Sequence, residues 1–250
     1  MAYDRFSEFY DRLMNDCDYK ARADYLLGLF SRFSHTPKLM LDLCCGTGSL
    51  SVELMRRGCD VIAVDSSESM LSIAGEKARA CGFDMLCLCQ DAEELDLYGT
   101  VDGAVCTLDS VNHIIDGDSL QAAFERVSLF LEPGCLFVFD ANTEYKHRQI
   151  LGDNTFVVED GGIYCVWQNS YDPPYTDIKL DFFAQQGELY RKSTEEFSER
   201  AYSVDELTET AVAAGLETVA IFDDMTLSPP KPNSQRLIYV MRKPASSACG

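Results

Sequence analysis

Five carboxylates stand at equivalent places in this chain of 250 residues: Asp42, Asp65, Asp91, Asp109 and Asp140 each close or directly follow a short apolar run. After the first of them comes Cys44-Cys45-Gly46-Thr47-Gly48, a stretch of small residues leading into a helical pattern from Ser49. Small residues at a strand-to-helix turn let the backbone pass close beneath a ligand. A carboxylate at a strand end can accept two donors at once. The chain has three histidines. His113 follows the fourth apolar run, and an imidazole titrates near neutrality, so His113 is the candidate general base. Asn112 beside it could instead orient an amine. His147, after the fifth run, is a second substrate-side candidate, whereas His35 precedes the first run and falls on the wrong side.

The loop discriminates among ligands. A dinucleotide fingerprint asks for Gly-x-Gly-x-x-Gly, and after Gly46 and Gly48 the third position is Ser51. A phosphate-binding P-loop needs a lysine before Ser or Thr, and none is present. What remains is a turn passing under a ligand that carries no pyrophosphate.

Strands and helices must alternate to bring the carboxylates together. The pattern predicts strands over 38–43, 60–65, 84–89, 101–106 and 135–140, with helices over 49–57, from Ser66 onward, and over 119–131. Two helices precede them, one carrying Phe6, Phe9, Tyr10, Leu13 and Met14, the other Tyr25, Leu26, Leu29, Phe30 and Phe33. The strands are near-continuous apolar runs, as expected where both faces of a parallel sheet are covered. Ligands then bind at the carboxyl ends of the strands, which is where the five carboxylates stand, although each alone would also serve as a helix cap.

From 154 to 200 the texture changes to period-two alternation, broken at Gly161-Gly162, Pro173-Pro174 and Gln186-Gly187. This predicts four antiparallel strands, rich in aromatics, forming a lid or a dimerisation flap. Ser203-Val204-Asp205-Glu206 has the form of a capping box, and two further strands run over 216–222 and 236–242. The expected division is a main domain over 1–153 and 201–243, a β insert over 154–200 and a disordered tail over 244–250.

The formal charge of −20 argues against a polyanion as partner, so no nucleic acid is expected. No basic-then-apolar leader and no run of membrane-spanning length is seen. Eleven cysteines, mostly within apolar strands and without Cys-x-x-Cys spacing, point to a reducing cytoplasm and to no metal site.

Leu41-Asp42-Leu43-Cys44-Cys45-Gly46-Thr47-Gly48 resembles motif I of the class I S-adenosylmethionine-dependent methyltransferases. Cys44 stands where that family has its first glycine, and a cysteine tolerates positive φ poorly, so a change in the loop is expected there. The resemblance implies a Rossmann-like, doubly wound α/β sheet of seven strands, mostly parallel with the last antiparallel. It implies S-adenosylmethionine as cofactor and S-adenosylhomocysteine as product. Asp42, Cys44, Gly46 and Gly48 would form the loop under the cofactor, and Asp65 with Ser66 would take the ribose. Met70 would pack on the adenine, Asp91 and Ala92 would take its edge, and Leu108 with Asp109 would face the methyl group. Phe9-Tyr10-Asp11-Arg12-Leu13 and Asp18-Tyr19 are similar to the opening of amino-sugar N-methyltransferases with a β-sheet lid, which implies that Tyr10 and Tyr19 close over the methionine end. The activity implied is methyl transfer to N or O of a small polar metabolite, by a monomer or a homodimer formed through the insert. A catalytically silent binding protein of the same fold is the alternative.

Overall fold

A computed structural model describes residues 10–11, 17–33 and 35–245. The helix expected around Phe6 to Met14, apart from Tyr10 and Asp11, and the tail beyond 245 lie outside the described residues.

The chain enters through α1 (Tyr19–Arg32), whose first turn is capped by the Asp18 carboxylate accepting from the Ala21 N–H at 2.9 Å. Then follow β1 (Leu39–Leu43), α2 (Ser49–Arg56), β2 (Asp60–Asp65), α3 (Glu68–Ala80), β3 (Leu86–Cys89) and β4 (Gly103–Cys106). A short helix α4 (Ser110–His113) and α5 (Gly117–Phe130) lead to β5 (Leu136–Asn142). The insert is β6 (Thr155–Asp160), β7 (Ile163–Asp172), β8 (Tyr175–Gln186) and β9 (Leu189–Arg200), and the chain closes with α6 (Val204–Ala213), β10 (Glu217–Asp223) and β11 (Arg236–Arg242).

Seven strands form one sheet in the order β10-β11-β5-β4-β1-β2-β3, in which β11 alone runs antiparallel to its neighbours. The expected fold class is the one observed. The strand order turns back between β1 and β4, so the carboxyl ends of those two strands flank the switch point where such sheets bind ligands.

Alternation along the central strands explains why both faces read as apolar. Phe137 and Phe139 of β5 pack on one face with Phe124 and Tyr239, while Leu136 and Val138 pack on the other with Leu26, Phe30 and Leu54. Phe139 stacks on Tyr239 at 4.7 Å between ring centroids.

Two boundaries differ from the sequence reading for a visible reason. β4 starts at Gly103; before it Val101 forms an isolated bridge with Leu131, and the Asp102 carboxylate accepts the Lys38 and Leu39 N–H groups while its own N–H donates to the Leu39 carbonyl. The segment after β4 contains a helical turn over Ser110–His113, too short to show a hydrophobic period.

The second sheet, β6-β7-β8-β9, is antiparallel throughout, with turns at the glycine and proline pairs. Its inner face (Cys165, Ile178, Leu180, Phe182) forms one apolar cluster with Met70 of α3, bordered by Tyr10, Trp167 and Phe197. The insert is thus seated against the carboxyl side of the main sheet. The capping box is present in full, with Ser203 accepting from Glu206 N and Glu206 from Ser203 N.

Candidate functional site

Two cavities meet above the switch point. The first, about 380 Å³, is lined by Cys44, Gly46, Asp65, Ser66, Met70, Asp91, Ala92 and Leu108 among others. The second, about 760 Å³, lies under the insert and is lined by Asp109, Trp167, Phe197, Glu199 and Arg236 among others. Tyr10, Leu108 and His113 line both. Tyr19 and Asp42 border a small gap of about 20 Å³ beneath the loop, shared with Tyr10 and Cys44.

The loop keeps the conformation of its glycine-rich pattern. Cys44 adopts φ 56°, Gly46 54° and Gly48 70°. The change expected at Cys44 is therefore not observed: the residue accepts the left-handed conformation, and its side chain packs against the core beside the sheet. Gly48 lines neither cavity. It sits where α2 begins, and a Cβ there would lie 2.6 Å from Ala74 Cβ and 3.1 Å from Ala74 Cα on α3. Its role in the structure is close packing between α2 and α3, so Gly48→Ala combines a left-handed residue with a backbone clash. The expected loss is about 2 to 3 kcal/mol of folding stability, read from the urea midpoint.

Asp65 stands at the loop's edge, accepting Gly46 N–H at 2.8 Å on Oδ2 and Ser67 N–H at 2.9 Å on Oδ1. Each oxygen keeps acceptor capacity toward the first cavity. Burial pushes its carboxyl above the usual range, and those two N–H groups oppose the shift. Asp42 is buried behind the loop with the Ser51 hydroxyl donating to Oδ2. Burial raises it to about 7, the Ser51 bond opposing and the Asp65 charge adding.

That shift makes Asp42 a source of pH dependence. The folded carboxyl retains a proton that the unfolded chain releases near pH 4. Its contribution favours the fold most at low pH and is lost as pH rises from about 4 to about 7. Asp42→Asn is expected to remove a change of about 4 kcal/mol in unfolding free energy across that window, measured against pH. An unchanged slope would place the dependence on another group.

Between the cavities the backbone is unusual. Leu108 and Asp109 are consecutive residues with φ 61° and 59°. Both of their N–H groups donate to the wholly buried Asp140 carboxylate, at 2.8 and 2.7 Å. Arg22 (3.2 Å) and Arg236 (3.8 Å) pair with the same carboxylate. Asn142, also buried, is a second hub. It donates from Nδ2 to Asp109 Oδ2 at 2.6 Å and to Glu199 Oε2 at 3.4 Å, and accepts on Oδ1 from Lys146 Nζ at 2.9 Å and Arg236 Nε at 3.3 Å. Burial alone would raise the Asp109 carboxyl, but Arg236, with Lys146 and His113, holds it below the usual range.

Two of the expected substrate-side residues are corrected by this geometry. Asn112 is fully buried and lines neither cavity: its amide donates to the Asn142 and Arg200 carbonyls and accepts the Asn142 N–H. It fixes the end of β5. His147 is also fully buried, its Nδ1 2.8 Å from Thr176 Oγ1, and burial lowers it to about 4, so the ring is neutral at physiological pH. It ties the turn after β5 to the insert. His113, by contrast, lies at the meeting of the cavities with Nε2 3.7 Å from Glu199 Oε1. Asp109 lines the second cavity. Sequence reasoning missed Glu199, Lys146, Arg22, Arg236 and Asn142, which lie on five separate elements or turns and share no local pattern.

Comparison with known proteins bears on this arrangement. A family model described as a methyltransferase domain matches residues 40–134. The crystal structure of an S-adenosylmethionine-dependent methyltransferase from Clostridium acetobutylicum superposes with a TM-score of 0.89 at 32% identity, covering 98% of this chain and 100% of that one. The chain belongs to the S-adenosylmethionine-dependent methyltransferases. The Bacillus subtilis protein YqeM is 28% identical to this methyltransferase over 246 residues, 97% of this chain and 98% of its own. The sugar N-methyltransferase KedS8 of Streptoalloteichus shares the fold, with a TM-score of 0.78 at 19% identity over 95% and 92% of the two chains.

S-adenosylmethionine is thus the cofactor of this methyltransferase, and the first cavity fits it on its own chemistry. Its volume is that of an ordinary small-molecule site. It offers a carboxylate with open acceptor positions (Asp65), a second carboxylate (Asp91) and apolar surfaces (Met70, Leu108), over a turn where Gly46 leaves the floor without a side chain. Among the described residues no group of His, Cys, Asp and Glu could hold a metal ion, and no helix is long and apolar enough to cross a membrane.

Proposed function

We propose that this methyltransferase acts on nitrogen or oxygen of a small polar metabolite bound in the second cavity. The observation that carries the reading is the junction: a large cavity lined by charged as well as aromatic side chains meets the cofactor cavity at Tyr10, Leu108 and His113. KedS8, which has the same fold, is by name a sugar N-methyltransferase.

In this reading Gly46, Cys44 and Asp42 shape the turn under the cofactor, Asp65 and Ser66 hold the ribose, and Met70, Asp91 and Ala92 take the adenine. Tyr10 and Tyr19 cover the methionine end, and Leu108 and Asp109 separate cofactor from acceptor. When bound, the cofactor supplies a methyl group on a sulfonium; the acceptor lone pair forms the new bond, and the sulfur–carbon electron pair returns to sulfur. The protein's work is then to position the acceptor in line and exclude water. His113 accepts the acceptor's proton, and Glu199 orients its ring and offsets the positive charge that develops.

Calorimetry with S-adenosylmethionine and S-adenosylhomocysteine, followed by release of S-adenosylhomocysteine across a panel of amines, hydroxy acids and sugars, tests the reading. Cofactor binding with turnover of a small acceptor is expected. Turnover confined to a macromolecular acceptor would overturn it.

A further inference from the structure

The second cavity is rich in both signs of charge, and most of the charges are already paired. Lys231 bonds to Asp223 at 2.8 Å, Arg22 lies 3.5 Å from Asp224 and 3.2 Å from Asp140, and Arg236 lies 3.1 Å from Asp109. Two lining groups stand outside this scheme. Among the described residues the Lys146 ammonium has no carboxylate within ion-pair distance; it donates to the Asn142 amide oxygen. Glu199 is buried and faces the imidazoles of His113 and His147 at 3.7 and 3.8 Å, together with the Asn142 amide nitrogen. Neither Lys nor Arg pairs with it among the described residues.

The two groups hold opposite ends of one side-chain amide. Lys146 Nζ touches Oδ1 and Glu199 Oε2 touches Nδ2 of Asn142, yet they do not pair with each other. The Lys146 ammonium and the Glu199 carboxylate, the latter faced by imidazoles and the Asn142 amide but by no Lys or Arg among the described residues, are therefore set apart by little more than the width of an amide and its two hydrogen bonds. Their order along the cavity is also fixed. Glu199 adjoins His113, which borders the cofactor cavity, whereas Lys146 lines the second cavity alone.

We infer that the acceptor is an amino acid, its carboxylate met by Lys146 and its amino group by Glu199 and His113 at the junction with the cofactor cavity. This rests on the methyl-transfer reading above and names its substrate class. A charge drawn out of water is costly unless something pairs with it, and one zwitterion of this span would meet the half-buried Lys146 and the buried Glu199 at once. Selection follows, because a ligand lacking either charge leaves one group unpaired. The amine enters as its ammonium form and gives one proton to the His113–Glu199 pair, freeing the lone pair that takes the methyl. The product leaves as a methylated ammonium, so charge and protons balance with one proton held by that pair.

The test uses the full chain with S-adenosylhomocysteine bound and reads the fluorescence of Trp167, the single tryptophan, which lines this cavity. Probes are the common L-amino acids, each compared with its amide, which lacks the carboxylate, and its N-acetyl form, which lacks the amine. The expected result is saturable binding of at least one free amino acid, weakened tenfold or more in both derivatives. Lys146→Met should abolish the preference for acid over amide while leaving S-adenosylhomocysteine binding unchanged, which shows that the variant is folded. Equal binding of acid and amide, or binding of none of the acids, would overturn the inference. Turnover of a neutral acceptor alongside that result would leave the methyl-transfer reading standing; absence of turnover on any small acceptor would remove that reading instead.

Discussion

Asp140→Ala should destabilise this methyltransferase by about 3 to 5 kcal/mol, the range for breaking a buried ion pair by removing one partner. Three donors converge on that carboxylate, the Leu108 and Asp109 N–H groups and the Arg22 guanidinium, and Arg236 adds an ion pair at 3.8 Å. Alanine leaves two buried cations short of a partner and two amides without an acceptor. It also releases two consecutive left-handed residues, a conformation costing roughly 1–2 kcal/mol each for a residue with a side chain. The bonds to Asp140 are what hold them there. Urea unfolding measures the loss. Asp140→Asn, which keeps one acceptor and the volume but not the charge, should fall between alanine and the parent. A midpoint shift under about 1 kcal/mol for alanine would mean that Asp109 and Asp224 absorb both guanidiniums without cost. Because this turn separates the two cavities, turnover should drop more than thermal stability alone predicts.

Asp65→Ala should weaken S-adenosylmethionine binding by about 3 to 5 kcal/mol, more than a hundredfold in Kd. On the proposed ribose contact two hydroxyls would lose a charged acceptor, and each hydrogen bond to a charged group contributes about 1.5–3 kcal/mol. The same substitution frees Gly46 N and Ser67 N, which anchor the motif I turn and the start of α3. Calorimetry on the variant gives the number directly. Asp65→Asn keeps one acceptor and should recover part of the affinity, since one hydroxyl can still be served. An unchanged Kd for alanine would move the ribose contact to another side chain.

What the sequence showed well was everything governed by local physics. The apolar runs located the strands of the main sheet, and in the central β1, β4 and β5 burial on both faces leaves the continuous hydrophobic signature. The hairpins fell where Gly161-Gly162, Pro173-Pro174 and Gln186-Gly187 break the alternation, and Ser203 with Glu206 announced a helix start that the structure contains. The acceptor side was not legible in the same way. Asp109 was singled out at the end of its strand, but Arg22, Asn142, Lys146, Glu199 and Arg236 come from α1, β5, the turn beyond it, β9 and β11. Only the closed sheet and the seated insert bring them together, so no spacing marks them. Asn112 and His147 failed for a related reason. Their position at the ends of strands was right, but which way a side chain turns is decided by partners far along the chain, here the Arg200 carbonyl and the Thr176 hydroxyl.

Met70 belongs to both halves of the molecule: it lines the cofactor cavity and is part of the apolar cluster that seats the insert. A single side chain that bounds one ligand site and supports the roof of another links their free energies. If filling the first cavity steadies Met70, the insert is steadied too, and an acceptor then binds a better-formed pocket. Thermodynamic reciprocity requires the acceptor to return the same factor to the cofactor. The order in which the two ligands arrive, and the order in which the products leave, would then be set in part by one thioether.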